Sequence, residues 1–176
     1  MKLHLGCGKK HIPGFVHVDL EDQPHIDFRI PVNQLTFAAD NSVELIYASH
    51  VLEHFGRHEV DQVLREWFRV LCKGGILRLA VPDFEAVVSR YQETQELGEL
   101  IGLVCGGQRN EYDYHKMVFD EKLLVGRLRD AGFSSVSRYD WRATEHAWMD
   151  DYSQAYLPHM DKEKGRLMSL NLEAVK

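Results

Sequence analysis

Histidine and glutamate crowd together in "ASHVLEH" (48–54), where His50, Glu53 and His54 spell H-x-x-E-H. On one helix, two histidines four apart could share a zinc ion while the glutamate polarises a bound water, as in the inverted zinc hydrolases. That chemistry needs one uninterrupted helix and a third protein ligand. His50 instead follows directly on a run that reads as strand, and Gly56 falls two residues after His54. The context predicts a strand-to-helix corner with Val51 and Leu52 packed inward, and no metal is expected. Within it His50 is a candidate base, because imidazole titrates near neutrality. His115, in the polar stretch "CGGQRNEYDYH", is the second. Glu53 and His54 are expected to fix the corner or a neighbouring loop, and the other seven histidines read as surface residues.

A second group lies at the start of the chain. "KLHLG" (2–6) reads as a short strand ending in "LGCG", and "FVHVDL" (15–20) as a second strand ending at Asp19. Gly6 and Gly8 permit a sharp turn and close approach to a ligand, since neither carries a Cβ. A carboxylate at the end of the next strand can accept both hydroxyls of a ribose. A dinucleotide fingerprint fits poorly: "GCGKKH" lacks the third glycine, and Asp19 comes only 11 residues after Gly8, against a usual spacing of about 20. Tyr112 and Lys116 match a Tyr-x-x-x-Lys pair, but in a loop-like stretch where the two need not share a helical face.

The elements that must position these residues alternate along the chain. "HIDFRI" (25–30) is a weaker third strand, and "VELIYAS" (43–49) a buried fourth after the turn signal "ADNS". Val60, Val63, Leu64, Trp67 and Leu71 then recur at helical spacing, with Lys73 near the helix end and Gly74-Gly75 as its stop. "ILRLAVPD" (76–83) is a fifth strand, Asp83 caps a helix running to about Leu97, and Asp120 caps another that Gly132 ends. "SSVSRYDW" and "GRLMSLNLEAV" read as the last two strands. Strands alternating with crossover helices predict a Rossmann-like three-layer α/β sandwich, a mainly parallel sheet with an antiparallel last strand. Residues 98–118 and 144–165 are expected as lid or insert segments of a single domain spanning 1–176. Trp148, Tyr152 and Tyr156 in the second could stack on a flat-faced acceptor or cover the sheet.

Bulk properties narrow the function. A net charge of −6 over 176 residues, with no dense Lys/Arg cluster, disfavours a nucleic-acid partner. Cys7, Cys72 and Cys105 are too scattered for a disulfide framework or a cysteine zinc site and fit reduced thiols in a cytoplasm. No apolar run suits a signal peptide or a membrane span.

The stretches "LHLGCGKKHIPGFVHVDL", "FAADNSVELIYASHVLEHF" and "REWFRVLCKGGILRLAVPDF", in that order, resemble the class I S-adenosylmethionine-dependent methyltransferases. "EYDYHKMVFDEKLLVGRLRDAGF" and "MSLNLEAVK" extend the likeness over nearly the whole chain. It is similar to the small type-11-like group, many of whose members are found among bacterial glycan-synthesis enzymes. The resemblance implies S-adenosyl-L-methionine as cofactor. Gly6, Cys7 and Gly8 would wrap its methionine part, Asp19 its ribose, with Leu20, Asn33 and Leu35 nearby and Ala48, Ser49 and His50 beside the sulfonium. It implies methyl transfer to a small-molecule acceptor, a hydroxyl of a sugar or related metabolite; the oligomeric state is left open between monomer and homodimer. An NAD(P)-dependent oxidoreductase and a catalytically silent cofactor-binding protein are the alternatives. Two departures stand out. Too few residues separate Gly8 from "FVHVDL" for a crossover helix, so "KKHIPG" must cross the sheet end unaided. The acid often found near the adenine is also missing after the third strand, leaving Asp27 or Asn33 as substitutes.

Overall fold

The computed structural model describes all 176 residues. In chain order the elements are β1 (Lys2–Leu5), β2 (Val16–Val18), β3 (Val43–Ser49), α1 (Val60–Val70), β4 (Leu71–Pro82), α2 (Phe84–Thr94), α3 (Ile101–Cys105), α4 (Glu121–Ala131), β5 (Ser135–Arg138), β6 (Tyr156–Leu157), β7 (Arg166–Leu167) and β8 (Ser169–Val175). Six strands form one sheet in the order β2-β1-β3-β4-β8-β5, and β6 and β7 pair as a small separate ribbon. Neighbours from β2 to β4 run parallel, while β8 is antiparallel to both β4 and β5. This is the expected Rossmann-like α/β sheet with an antiparallel last strand.

Strand alternation sorts the side chains onto two unlike faces. Leu3, Leu5, Ile46, Ala48, Leu77, Leu79, Val81, Leu170 and Leu172 join Val60, Val63, Leu64 and Trp67 of α1 and Leu124 and Leu128 of α4 in the main core. The Trp67 indole, fully buried there, donates to the Val32 carbonyl at 2.8 Å. Asp61 of α1 and Arg127 of α4 pair at 2.8 Å across the outer surface of this layer.

The other face carries His4, His17, Tyr47, Arg78 and Glu173, which register aligns in one row across five strands. No α-helix covers them; a 3-10 turn at Tyr152–Gln154 packs there. Residues 7–15 bring Ile12 and Phe15 onto Leu45 and Tyr47, and the segment after β5 adds Met149. The same segment satisfies the row: Tyr47 donates to Asp151 at 2.5 Å, and Arg78 reaches Glu145 at 2.7 Å as well as Glu173 at 2.6 Å. "KKHIPG" therefore does cross without a helix, and residues 144–155 serve first as a sheet cover.

Histidine placement needs correcting here. His4, His17 and His146 are 2%, 1% and 3% exposed, not surface residues. The strands of His4 and His17 alternate as half-exposed strands do, but a loop that includes His146 packs over the polar side. "HIDFRI" is not a strand either. It makes a single bridge, Val18 to Phe28, because the Asp27 carboxylate and the Asp27 and Phe28 amides all bind the His17 backbone. The first long helix ends at Val70 rather than at the glycines. Leu71 already pairs with Val43, residues 72–75 bulge out, and Ile76 resumes the ladder opposite Leu45. Gly75 is required in that bulge: a Cβ would lie 2.9 Å from the Cys72 carbonyl oxygen and 3.1 Å from that of Val43.

Candidate active site

In the sheet order, β1 lies between β2 and β3, and chain direction reverses there from leftward to rightward crossovers. Such a switch point at the carboxyl ends of the strands is where ligands bind in this architecture. Leu5 is level with Val18 on one side and Ala48 on the other. The loop Gly6–Gly8 is thus flanked by Asp19 and by Ser49–His50.

Each piece of the loop has a local cause. Gly6 and Gly8 both adopt left-handed backbone, φ +62° and +50°, a region that penalises any residue with a Cβ. The Gly6 amide donates to the Val18 carbonyl at 2.9 Å. Asp19 accepts from the Gly8 amide at 2.7 Å through Oδ2 and from the Glu21 amide at 2.9 Å through Oδ1. Its carboxylate therefore shapes the loop. Cys7 is buried, and burial with the nearby Asp19 pushes its thiol up to about 12, so it stays neutral.

Leu20, Asp27, Asn33 and Leu35, expected near the ribose or the adenine, sit in unlike surroundings. Asp27 is engaged with the His17 amide at 2.8 Å. Leu35 is fully buried in the main core, its amide bound to Glu66 at 2.8 Å. Leu20 is exposed and gives its carbonyl to Arg29. Asn33 is half-buried.

The corner after β3 is tighter than its sequence suggests. His50 takes left-handed backbone, φ +54°, uncommon for a histidine and found where surrounding structure over-determines it. Its amide donates to the Ala80 carbonyl at 2.8 Å. Val51 and Leu52 pack inward as expected, at 7% and 1% exposure. Leu52–His54 is one 3-10 turn, so His50 and His54 do not share a helix face.

That turn carries Glu53 to the centre of the site. Its side chain is fully buried, with His50 Nδ1 at 3.2 Å and His115 Nε2 at 3.9 Å from Oε1. The two candidate bases, 65 residues apart in sequence, meet at one carboxylate. The Lys116 and Met117 amides hold the loop in place by donating to the Glu53 carbonyl at 2.8 and 3.2 Å. Burial raises the Glu53 carboxyl, but the adjacent His50 and His54 imidazoles outweigh it and hold it below its ordinary value. Burial lowers His115.

His50 also faces Ser169, with Nε2 at 3.1 Å from Oγ. Ser169 donates onward to Asn171 at 2.9 Å and is 1% exposed, so it orients the imidazole and is no accessible nucleophile. Of the insert aromatics, Tyr152 lies against His50, ring centroids 5.3 Å apart, and is 63% exposed. Trp148 is exposed. Tyr156 is buried against Trp141 and Arg142 and cannot stack on an acceptor.

Sequence reasoning assigned Glu53 only a supporting place. The available signal was a lone acid between inward-packing Leu52 and a histidine, at a corner where burial was already predicted.

Residues 13–79 match the family model of a methyltransferase domain. Over 109 residues the chain is 29% identical to the ubiquinone/menaquinone biosynthesis C-methyltransferase UbiE of Cronobacter sakazakii. That alignment takes in 57% of this chain and 43% of the relative, so the chain spans less than half the length of the curated protein it matches. Among solved structures it is similar to an S-adenosylmethionine-dependent methyltransferase from Archaeoglobus fulgidus, with a TM-score of 0.58 at 13% identity over 99% of this chain and 85% of that one. It is also similar to the 1,6-didemethyltoxoflavin-N1-methyltransferase of Burkholderia thailandensis, solved with 1,6-didemethyltoxoflavin and S-adenosylhomocysteine. There the TM-score is 0.58 at 17% identity, over 99% and 70% of the two chains. The fold is that of solved S-adenosylmethionine-dependent methyltransferases, and residues 13–79 carry the sequence pattern of a methyltransferase domain.

Proposed function

We propose that this chain transfers the methyl group of S-adenosylmethionine to a small-molecule acceptor, a hydroxyl of a sugar or related metabolite, in the cytoplasm and within bacterial glycan synthesis. One observation carries the reading: the glycine loop and Asp19 converge at the switch point, directly beside a corner that presents His50. Methyl transfer from a sulfonium is an in-line displacement, so the protein must hold the acceptor opposite the methyl carbon and take up its proton. The loop and Asp19 would hold the cofactor. His50, its Nδ1 beside Glu53, would receive the acceptor proton at Nε2, the acceptor hydroxyl taking the place of Ser169 Oγ on that nitrogen, with His115 completing the pocket wall. Both histidines suit a hydroxyl acceptor, which must lose its proton as the new bond forms.

Thermal melts with S-adenosylhomocysteine and NADH in parallel test the cofactor. A shift with the first alone supports methyl transfer, and a shift with NADH alone points to an oxidoreductase. Asp19→Asn is expected to weaken S-adenosylhomocysteine binding by roughly 1.5–3 kcal/mol, the scale of a hydrogen bond to a charged group. Isothermal titration reads this directly, and unchanged affinity would remove Asp19 from the ribose. His50→Ala is expected to lower kcat by roughly 10²-fold or more while leaving S-adenosylhomocysteine affinity in place. A pool of sugars and phenols assayed with labelled methyl donor supplies the turnover readout, and a fall in cofactor affinity instead would make His50 a binding residue.

A further inference from the structure

The Glu53 carboxylate is fully buried, yet neither Oε1 nor Oε2 receives a hydrogen bond. His50 Nδ1 lies 3.2 Å from Oε1 but outside hydrogen-bonding geometry. A buried carboxylate with no donor is costly unless a cation stands beside it. Two imidazoles are turned toward the same spot. Ligand atoms of Glu53, His54 and His115 all lie within 4.8 Å of one another, and the His54 and His115 rings meet edge to face at 4.9 Å.

The outer nitrogens of both rings are already committed. His54 Nδ1 lies 3.1 Å from the Tyr114 carbonyl oxygen, and His115 Nδ1 lies 3.0 Å from that of Leu103. Nδ1 of each ring therefore carries the proton and Nε2 of each keeps its lone pair, that of His115 lying 3.9 Å from Glu53 Oε1. This is how histidines that bind metals are held, the remote nitrogen donating to a carbonyl or carboxylate. The third ligand is brought in by backbone, through the Lys116 and Met117 amides on the Glu53 carbonyl.

We propose that Glu53, His54 and His115 form a binding site for a single divalent cation of the zinc class. Two imidazole nitrogens and one carboxylate oxygen suit zinc and its first-row neighbours better than magnesium or calcium, which prefer oxygen ligands throughout. Zinc–nitrogen and zinc–oxygen bonds of about 2.0–2.2 Å bring tetrahedral ligand atoms to roughly 3.4 Å apart. The three side chains would draw together modestly from their present separation. H-x-x-E-H thus contributes to a metal site, but not as its spacing suggests: the 3-10 turn supplies Glu53 and His54, and a distant loop supplies His115 in place of His50. If the methyl-transfer reading holds, such an ion would stand beside His50 and could acidify an acceptor hydroxyl that joined its coordination shell. Metal binding itself does not depend on that reading.

The whole chain, stripped with a chelator, is titrated with Zn2+ alone by calorimetry, and with Co2+ for its visible ligand-field bands. One equivalent of Zn2+ is expected to bind, and Co2+ to give the intense bands of a four-coordinate site. His54→Ala, His115→Ala and Glu53→Gln are each expected to weaken binding at least tenfold, whereas His159→Ala, an exposed histidine, leaves it unchanged. Far-UV circular dichroism and S-adenosylhomocysteine binding, measured on the same samples, show that each variant is folded. No stoichiometric Zn2+ in the parent, or equal affinity in folded His115→Ala and His54→Ala, overturns the site. Zn2+ binding without S-adenosylhomocysteine binding would overturn methyl transfer and spare the metal; the reverse would overturn the metal alone.

Discussion

Gly6→Ala is expected to cost roughly 2–5 kcal/mol of stability, the sum of left-handed backbone imposed on alanine and overpacking at the new methyl. The Cβ would lie 2.4 Å from Val51 Cγ2, with Cγ1 at 3.3 Å. Val51 is 7% exposed, and its branched side chain cannot swing aside. Relief must come from moving the glycine loop or the His50–Glu53 corner, so S-adenosylhomocysteine affinity should fall along with the melting temperature. For a chain of this size the melting temperature should drop by roughly 5–15 °C. Two further variants apportion the effect. Gly8→Ala, at φ +50° with no atom near the added carbon, should show only the backbone part, about 1–2 kcal/mol. Gly6→Ala/Val51→Ala should show coupling, the second change costing less than it does alone. Equal losses for Gly6→Ala and Gly8→Ala in melts would mean that Val51 does not set the loop.

Mild acid is expected to destabilise the protein through the sheet face that no α-helix covers. Burial lowers His4, His17 and His146, and takes His4 down to about 3. Unfolded, each would titrate near 6.5. Below that value the unfolded chain binds protons that the folded one refuses, so stability is full above about pH 6.5 and falls as pH drops toward the folded values. From pH 7.5 to pH 5, His4 alone should contribute a loss of about 2 kcal/mol, and His17 and His146 add to it. The neighbours sharpen the effect. Arg78 opposes a proton on His146, and the surrounding histidines oppose one on His4, while Asp27 partly favours one on His17. Lowered acids such as Glu145, near 2, act in the same direction but only below their unfolded value of about 4.5. They therefore leave the window from pH 5 to 7.5 to the histidines. Urea midpoints across that range measure the slope, and His4→Leu should flatten it by about one proton's worth. An unaltered slope in His4→Leu would show that His4 titrates as if exposed.

The row that produces this acid sensitivity was written in the strands but could not be read there. "KLHL" and "FVHV" put histidines out of phase with apolar residues, the pattern of a strand with one wet face. Whether that face is wet depends on what lies over it. Here residues 7–15 and 141–155 do, bringing Met149, His146 and Asp151 from the far end of the chain. Local pattern carries no trace of such a contact. The boundary of α1 was misplaced for a related reason. Glycine is a helix stop on average, but pairing of Leu71 with Val43 ended the helix first.

The amino-acid sequence determined the order of strands and helices, the caps at Asp83 and Asp120, the glycine loop and the acid beside it. These follow from interactions within a few residues or from the two periodicities of the backbone, and both are written in the chain itself. Tertiary structure alone decided that His50, Glu53, His54 and His115 converge, that His4 and His146 are buried, and that Asp27 serves His17 instead of a ligand. Those outcomes depend on which distant segment packs where. That is settled by burial of the whole core, a sum over contacts that no short stretch contains.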